Sequence, residues 1–391
     1  MIFLFWIGIF LLAHTYLVYP FTLQLLVPLL KKKQDKQSAS QPKVSILVAV
    51  YNEEKIIREK IQNLLELDYP KEKLEILFGS DCSSDNTNEL IEKEISPEHK
   101  MKLFKFKSRR GKAAVLNSLA PQASGEILLF CDANTMLLQN SVQQLIANFS
   151  NEKTGCVCGR LVLKDATGSM LGKGESFYWK FESEIKYLEG KLGIVMGANG
   201  GIYAIRKELY VPIPEGKTVM DDFFLTTQII SRRYQAVYEP LSIGREETSL
   251  DKFGEFRRKV RIGEANFNYL PLYIKMLNPL LGITAYSFFS HKFLRWIGPL
   301  LLIMVFLLNI LIQIVSPSPL FLFLFGLQAL FYLFAILGYF IQRKGKKSRL
   351  IFTIAYYFSS MNFALFLGMV KAARQRKHHS GGMWDREERT H

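Results

Sequence analysis

Residues 1–30 and most of 293–370 are nearly devoid of charge, and they frame a long polar stretch. Lipid accommodates such runs where water does not, because about 20 apolar residues in a helix cross the hydrocarbon of a bilayer. The chain therefore reads as an integral membrane protein with a large soluble insert. The first run has no basic residue ahead of it and no small-residue cleavage site behind it. It is followed at once by Lys31, Lys32, Lys33 and Lys36, which marks an anchor whose carboxyl end faces the cytoplasm. Spans near 294–315 and 320–341, separated by Ser316-Pro317-Ser318-Pro319, then bring the chain back to a basic loop at 342–349. Residues 350–370 admit two readings. A full span would put Lys371, Arg374, Arg376 and Lys377 outside, against the positive-inside bias; a re-entrant segment would turn at Ser359-Ser360-Met361-Asn362.

The same reasoning divides the chain into an anchor (1–30), a polar linker (31–41), a soluble domain (42–250), amphipathic helices at the membrane surface (251–292), carboxyl-terminal membrane helices (293–370) and a basic tail (371–391). In 391 residues, 50 Lys and Arg stand against 35 Asp and Glu, a net charge of +15. The positive residues bunch at the ends of the apolar runs, where orientation and anionic lipid account for them, so nucleic acid is not expected as a partner. The four cysteines, Cys82, Cys131, Cys156 and Cys158, lie in the insert and lack the second pair or histidines of a zinc site. They read as reduced, buried and cytosolic.

Inside the insert, strand and helix alternate. Residues 44–50, 74–78, 103–106 and 127–130 are apolar runs, each followed by polar residues and, for the first three, a helical stretch. This alternation predicts an α/β fold with a mainly parallel sheet. In such sheets ligands bind beyond the carboxyl ends of the strands. Those ends carry Asn52 and Glu53, Asp81, Lys112, and Asp132 with Asn134.

Asp132-Ala133-Asn134 places two oxygen-bearing side chains on a short loop that suits a hard cation sharing phosphate oxygens, and equally suits an Asx turn or helix cap. Ser83, Ser84 and Asp85 read as caps. Gly111-Lys112 is not a P-loop, because Phe106 stands where the first glycine belongs and Ala113 replaces the Ser/Thr. The turn after the first strand, Tyr51-Asn52-Glu53-Glu54, lacks the glycines of a dinucleotide-binding fingerprint. Met196-Gly197-Ala198-Asn199-Gly200-Gly201 allows close backbone approach to a ligand or forms a simple hairpin. Asp221 and Asp222 precede an apolar helix, where they could cap it, or where mutual repulsion raises one pKa toward that of a general base. Phe253, Phe256 and Val260 recur at helical spacing with Arg257, Arg258, Lys259 and Arg261 on the other face, as in a basic amphipathic helix whose remaining arginines could grip a diphosphate.

Taken in order, Val44–Glu54, Asp81, Arg110-Gly111-Lys112 with Asn117, Asp132-Ala133-Asn134, Gly197–Arg206, Asp221-Asp222 and Arg258–Arg261 resemble the membrane-bound glycosyltransferases of family 2 over about Pro42 to Asn268. The resemblance implies a GT-A fold in the membrane of the cell, with the catalytic domain cytoplasmic and several spans. It implies an inverting transfer from a nucleotide-diphosphate sugar to a lipid-linked or polysaccharide acceptor. Asp81 would lie near the base or ribose; Asp132, with Asn134, would hold Mg²⁺ or Mn²⁺ against the diphosphate. Asp222 would be the catalytic base, and Arg258 and Arg261 would clamp the pyrophosphate. Asn52, Glu53 and Lys112 fall on the donor side, Asn199, Gly200 and Asp221 on the acceptor side. The family's metal motif usually ends in aspartate, where this chain has Asn134. Processive members carry Gln-x-x-Arg-Trp, where this chain has Arg258-Lys259-Val260-Arg261-Ile262. Transfer of one or a few sugars in surface polysaccharide synthesis is therefore the first expectation. A processive polysaccharide synthase is the second, and a catalytically silent scaffold of the same fold a remote third.

Overall fold

The computed structural model describes residues 1–30, 41–95, 99–164, 170–247, 254–344 and 349–375; the linker lysines, Phe253, Lys346, Lys347, Arg376 and Lys377 lie outside them. The chain divides into two compact units. One is drawn from Leu26–Lys164 and Ser183–Thr248, the other chiefly from Met1–Leu25, Asp165–Glu182 and the chain after Ser249.

The first unit is built on an eight-stranded mixed sheet. Its strands are β1 (Val44–Val50), β2 (Leu74–Ser80), β3 (Met101–Lys105), β4 (Ile127–Phe130), β5 (Met136–Leu137), β6 (Thr154–Lys164), β7 (Tyr203–Arg206) and β8 (Gln235–Glu247), in the order β3-β2-β1-β4-β7-β6-β8-β5. Every residue of β1, β2 and β4 is buried, as expected of parallel strands covered on both faces. β1 runs parallel to β2 and β4, with Val44 opposite Leu74 and Ile127, and β2 runs parallel to β3. The carboxyl ends of β1, β2 and β4 therefore emerge at one edge. β7 is antiparallel to β4, with Tyr203 opposite Phe130, so the glycine-rich turn that precedes β7 arrives at that same edge. The Phe130 and Tyr203 rings stack across this pair, 4.6 Å apart. The sheet is parallel in the half that the strand–helix alternation marked and mixed in the other half, where β7 pairs antiparallel with β4 and β6, and β5 antiparallel with β8.

Among the described residues, four helices are long and apolar enough to cross a membrane: Ile2–Leu30, Ile283–Val315, Pro319–Arg343 and Leu350–Gln375. The first two each contain a widened π turn, His14–Val18 and Phe288–Phe293, and the two turns meet where His14 Nε2 lies 2.9 Å from Ser290 Oγ. The last helix is unbroken through Ser359–Asn362, so the re-entrant turn allowed by the sequence does not form; Asn362 donates to the Phe358 carbonyl of its own helix. The helix Gly254–Asn268 carries Arg258 and Arg261 and packs along the last helix. At the crossing Gly263 meets Leu365 backbone and Gly368 meets Val260 backbone so closely that a Cβ on either would collide. Nearby, buried Glu264 accepts from Lys371 at 2.8 Å and from Gln375.

Candidate active site

The edge at which β1, β2, β4 and the turn before β7 converge gathers most of the residues singled out from sequence. Asn52 adopts a left-handed conformation (φ 52°) and fixes the first loop against the second: its Oδ1 accepts from Ser84 N at 2.8 Å and its own N–H reaches Ser83 Oγ. Ser83 and Ser84 thus brace Asn52, while Asp85 caps the next helix by accepting from Thr87 N. Glu53 is buried, and its N–H donates to Thr87 Oγ1 at 2.7 Å. Asp81 is fully buried, with its oxygens accepting from the backbone N–H groups of Arg110 and Gly111 at 2.7 and 3.0 Å. This shapes the loop that delivers Lys112.

Lys112 opens the helix Lys112–Leu119 and reaches across the site. Its Nζ lies 2.8 Å from Asp132 Oδ1 and 3.2 Å from Asp221 Oδ1. Burial alone would lower its pKa, but the two carboxylates outweigh that and raise it above the usual lysine value. Asp132 is about one-third exposed at 35%, whereas Asn134 is buried and its amide Nδ2 has no hydrogen-bond partner among the described residues.

Asp221 and Asp222 begin the helix Asp221–Ser231 but serve differently. Asp221 is buried; besides Lys112 it accepts from the Tyr203 hydroxyl at 2.9 Å. Burial and the neighbouring Asp221 charge push Asp222 up to about 6, against the opposing pull of Lys112, Lys186 and the Phe223 N–H. Gly200 faces this carboxyl: a Cβ there would sit 3.3 Å from Asp222 Oδ2, so a glycine keeps the approach open. Asn199, by contrast, is occupied in building the turn. Its Oδ1 accepts from Lys186 Nζ at 2.6 Å and its Nδ2 donates to the Gly159 carbonyl. Arg258 and Arg261 belong to the other unit, where the Arg258 guanidinium lies over the Trp179 ring at 5.4 Å. Cys131, Cys156 and Cys158 are buried as expected, Cys82 is partly exposed, and no disulfide joins any of the four among the described residues.

Two buried lysines were missed in the sequence. Lys60, fully buried, donates to the Thr135 carbonyl at 2.5 Å and to Cys131 Sγ at 2.9 Å, holding the Asp132–Asn134 loop from beneath. Lys186 holds the 198–199 turn through the Ala198 carbonyl and Asn199 Oδ1. The available signal is spacing: Lys60 fills the i+3 slot of the apolar stripe Ile57, Ile61, Leu64, a position where a surface lysine does not belong.

Residues 45–210 match Glycosyl transferase family 2. The chain carries a glycosyltransferase family 2 domain. Over 285 residues it is 26% identical to a probable glycosyltransferase, YdaM, of Bacillus subtilis, covering 69% of this chain and 67% of that one. Over 271 residues it is 30% identical to the poly-β-1,6-N-acetyl-D-glucosamine synthase of Staphylococcus aureus, covering 65% of each. The matched region thus spans about two thirds of the length of these curated relatives. In fold it is similar to the mannosyltransferase PcManGT of Pyrobaculum calidifontis, solved with GDP-Man and Mn²⁺, with a TM-score of 0.70, 23% identity, and 95% of this chain and 99% of that one covered. The family 2 domain therefore has the GT-A architecture.

Proposed function

We propose that this family 2 domain moves a sugar from a nucleotide-diphosphate sugar, with inversion, onto a membrane-associated saccharide or lipid-linked acceptor in surface polysaccharide synthesis. The observation that carries this reading is the pairing of two unlike carboxylates in one site: Asp132, one-third exposed at a strand end, and Asp222, pushed up to about 6 behind an open glycine. A carboxyl near pH 6 is largely ionised at neutral pH yet basic enough to take a proton from a sugar hydroxyl as that oxygen attacks the anomeric carbon. Attack from the face opposite the leaving nucleotide gives inversion in a single displacement. Asp221, already engaged by Lys112 and Tyr203, orients the helix start that presents Asp222.

A divalent cation fits the donor side. Asp132 offers an accessible carboxylate, Asn134 would add a neutral amide oxygen, and a Mg²⁺-like ion is typically held by one or two carboxylates plus substrate phosphates. Such an ion, when bound, neutralises charge on the departing diphosphate. Mn²⁺ in the mannosyltransferase of like fold supports a divalent ion of this kind. Arg258 and Arg261 are proposed to meet the pyrophosphate, and the four apolar helices to hold the enzyme in the cell membrane with the domain on the cytoplasmic side.

The polymer synthase among the relatives favours a second reading, processive synthesis, against which stands Arg258-Lys259-Val260-Arg261-Ile262 in place of Gln-x-x-Arg-Trp. Detergent-purified full chain, given a panel of nucleotide sugars with membrane lipid extract as acceptor, is expected to release nucleoside diphosphate from one of them. Product length then separates one or a few additions from a polymer. Failure to release diphosphate from any donor, with or without Mg²⁺ or Mn²⁺, overturns the reading.

A further inference from the structure

Asp132, Asp221 and Asp222 bring three carboxylates to one edge of the sheet, and the Lys112 ammonium bridges two of them at 2.8 and 3.2 Å. The bridge is built into the backbone. Lys112 is the first residue of its helix, and the loop before it is pinned by both oxygens of fully buried Asp81 through the N–H groups of Arg110 and Gly111. A lysine on a free loop would swing away at little cost; this one starts from a fixed point. Asp221 is equally fixed, because its other oxygen accepts from the buried Tyr203 hydroxyl. From beneath, Lys60 ties the Asp132 loop through Thr135 and Cys131. Every anchor of the bridge is therefore held independently of any ligand.

We propose that Lys112 is a resident counter-ion that occupies the cation position between Asp132 and Asp221 and must release Asp132 before a divalent ion can bind there. This rests on the reading of Asp132 as the metal carboxylate, and extends it to how the metal enters. Two features make the competition matter in this chain. Asn134 is neutral, so Asp132 supplies the only charge of its motif, and an ammonium already paired with that charge cancels much of what draws a cation in. Lys112 also has a second place to go: withdrawn from Asp132 it remains paired with Asp221, so release does not strand a buried charge. The consequence is a site that binds metal weakly on its own and strongly only when a diphosphate supplies further oxygens and negative charge.

The test measures Mn²⁺ alone, by electron paramagnetic resonance of free ion, on the detergent-purified full chain without nucleotide. Lys112→Gln removes the competing charge and is expected to tighten Mn²⁺ binding at least tenfold. Lys112→Arg keeps the charge and is expected to stay within about threefold of the parent. Thermal midpoints of both variants identify any that misfold, and Asp132→Asn in the Lys112→Gln background should abolish the gain. Mn²⁺ binding by Lys112→Gln that is unchanged or weaker than the parent, in folded protein, overturns the proposal, as does equal tightening by Lys112→Arg. Diphosphate release with saturating metal is scored separately on the parent protein. Loss of that activity would strike the transfer reaction, and a flat Mn²⁺ response would strike only the role of Lys112.

Discussion

Asp222 and Asp221 are chemically identical neighbours that the fold treats differently. Asp221 is spent on Lys112 and Tyr203, whereas the Asp222 carboxylate accepts from the adjacent Phe223 N–H and is raised to about 6 by burial and by Asp221. A base works in its ionised form, so transfer should rise as pH climbs through about 6 and level off above it; a kcat–pH profile of the parent checks this. Asp222→Asn keeps the size of the side chain and removes the base. It should lower transfer by about 10²–10⁴-fold while donor affinity holds, because the donor contacts are assigned to other residues. A folded variant retaining more than about a tenth of the parent rate would place the base elsewhere. If Asp222 were only a helix cap, the loss would instead be about 1 kcal/mol of stability with a nearly normal rate. The metal carboxylate has its own pair of tests at this scale. Chelator should abolish transfer and Mg²⁺ or Mn²⁺ restore it, and Asn134→Asp should tighten metal binding if residue 134 faces the ion and leave it unchanged if the residue only shapes the turn.

At the scale of elements, burial explains what could be read from sequence. β1 and β4 were legible to the residue because a parallel strand covered on both faces must be a continuous apolar run. β6 and β8 were not, because Thr154–Lys164 and Gln235–Glu247 mix polar and apolar residues across a mixed sheet with register shifts at Thr154/Cys156 and Gly159/Arg160. The site followed the same division. Asp81, Lys112 and Asp132 could be placed at strand ends and helix starts, but that Asp81 uses both oxygens on backbone N–H groups depends on a loop from elsewhere in the chain. Glu75, inside β2, shows how such polar groups hold the sheet. Its carboxylate accepts from Ser45 on β1 at 2.6 Å, from Ser124 N at 2.8 Å, and from Lys102 on β3 at 3.3 Å. Burial alone would raise its pKa, yet the hydrogen bonds from Ser124 and Ser45 and the one from Lys102 bring it below the usual 4.5. A depressed carboxyl contributes stability above its unfolded value and loses it as pH falls through the folded one. Glu75→Ala should therefore cost about 1–3 kcal/mol near neutral pH, by stranding the Ser45 and Ser124 donors. The gap in thermal midpoint between variant and parent should narrow below pH 4.5.

For the molecule as a whole, the last helix decides on which side the tail lies. Within the membrane unit, Phe5, Val305, Ile312 and Phe321 cluster around the Ser316–Ser318 turn, while His14 with Ser290 and Tyr16 with Arg295 mark the opposite level, toward the buried Glu182 that accepts from Lys292 and Arg295. The last helix keeps to this second level. Phe352 packs on Phe334, Tyr356 on Tyr339, and Asn362 beside Gly298. Beyond that it runs against the polar helix Gly254–Asn268, with Phe256 near Phe363, Val260 on Gly368 and Glu264 paired to Lys371. A helix carrying Arg257, Arg258, Lys259 and Arg261 is costly to draw into hydrocarbon, and its natural place is the interface. Its partner along that length is then held at the interface too, although its 26 residues, about 39 Å, are long enough to cross. Three helices should therefore span the bilayer and the fourth lie along its inner face, which leaves Lys371 and Arg374 on the side that the positive-inside bias prefers. Single cysteines in a Cys82-replaced background, probed in intact cells with a membrane-impermeant thiol reagent, give the check. Labelling is expected at Ser316 or Ser318 and not at positions 378–391 until the cells are opened. Labelling of the tail in intact cells would mean that the last helix crosses and draws the tail outside.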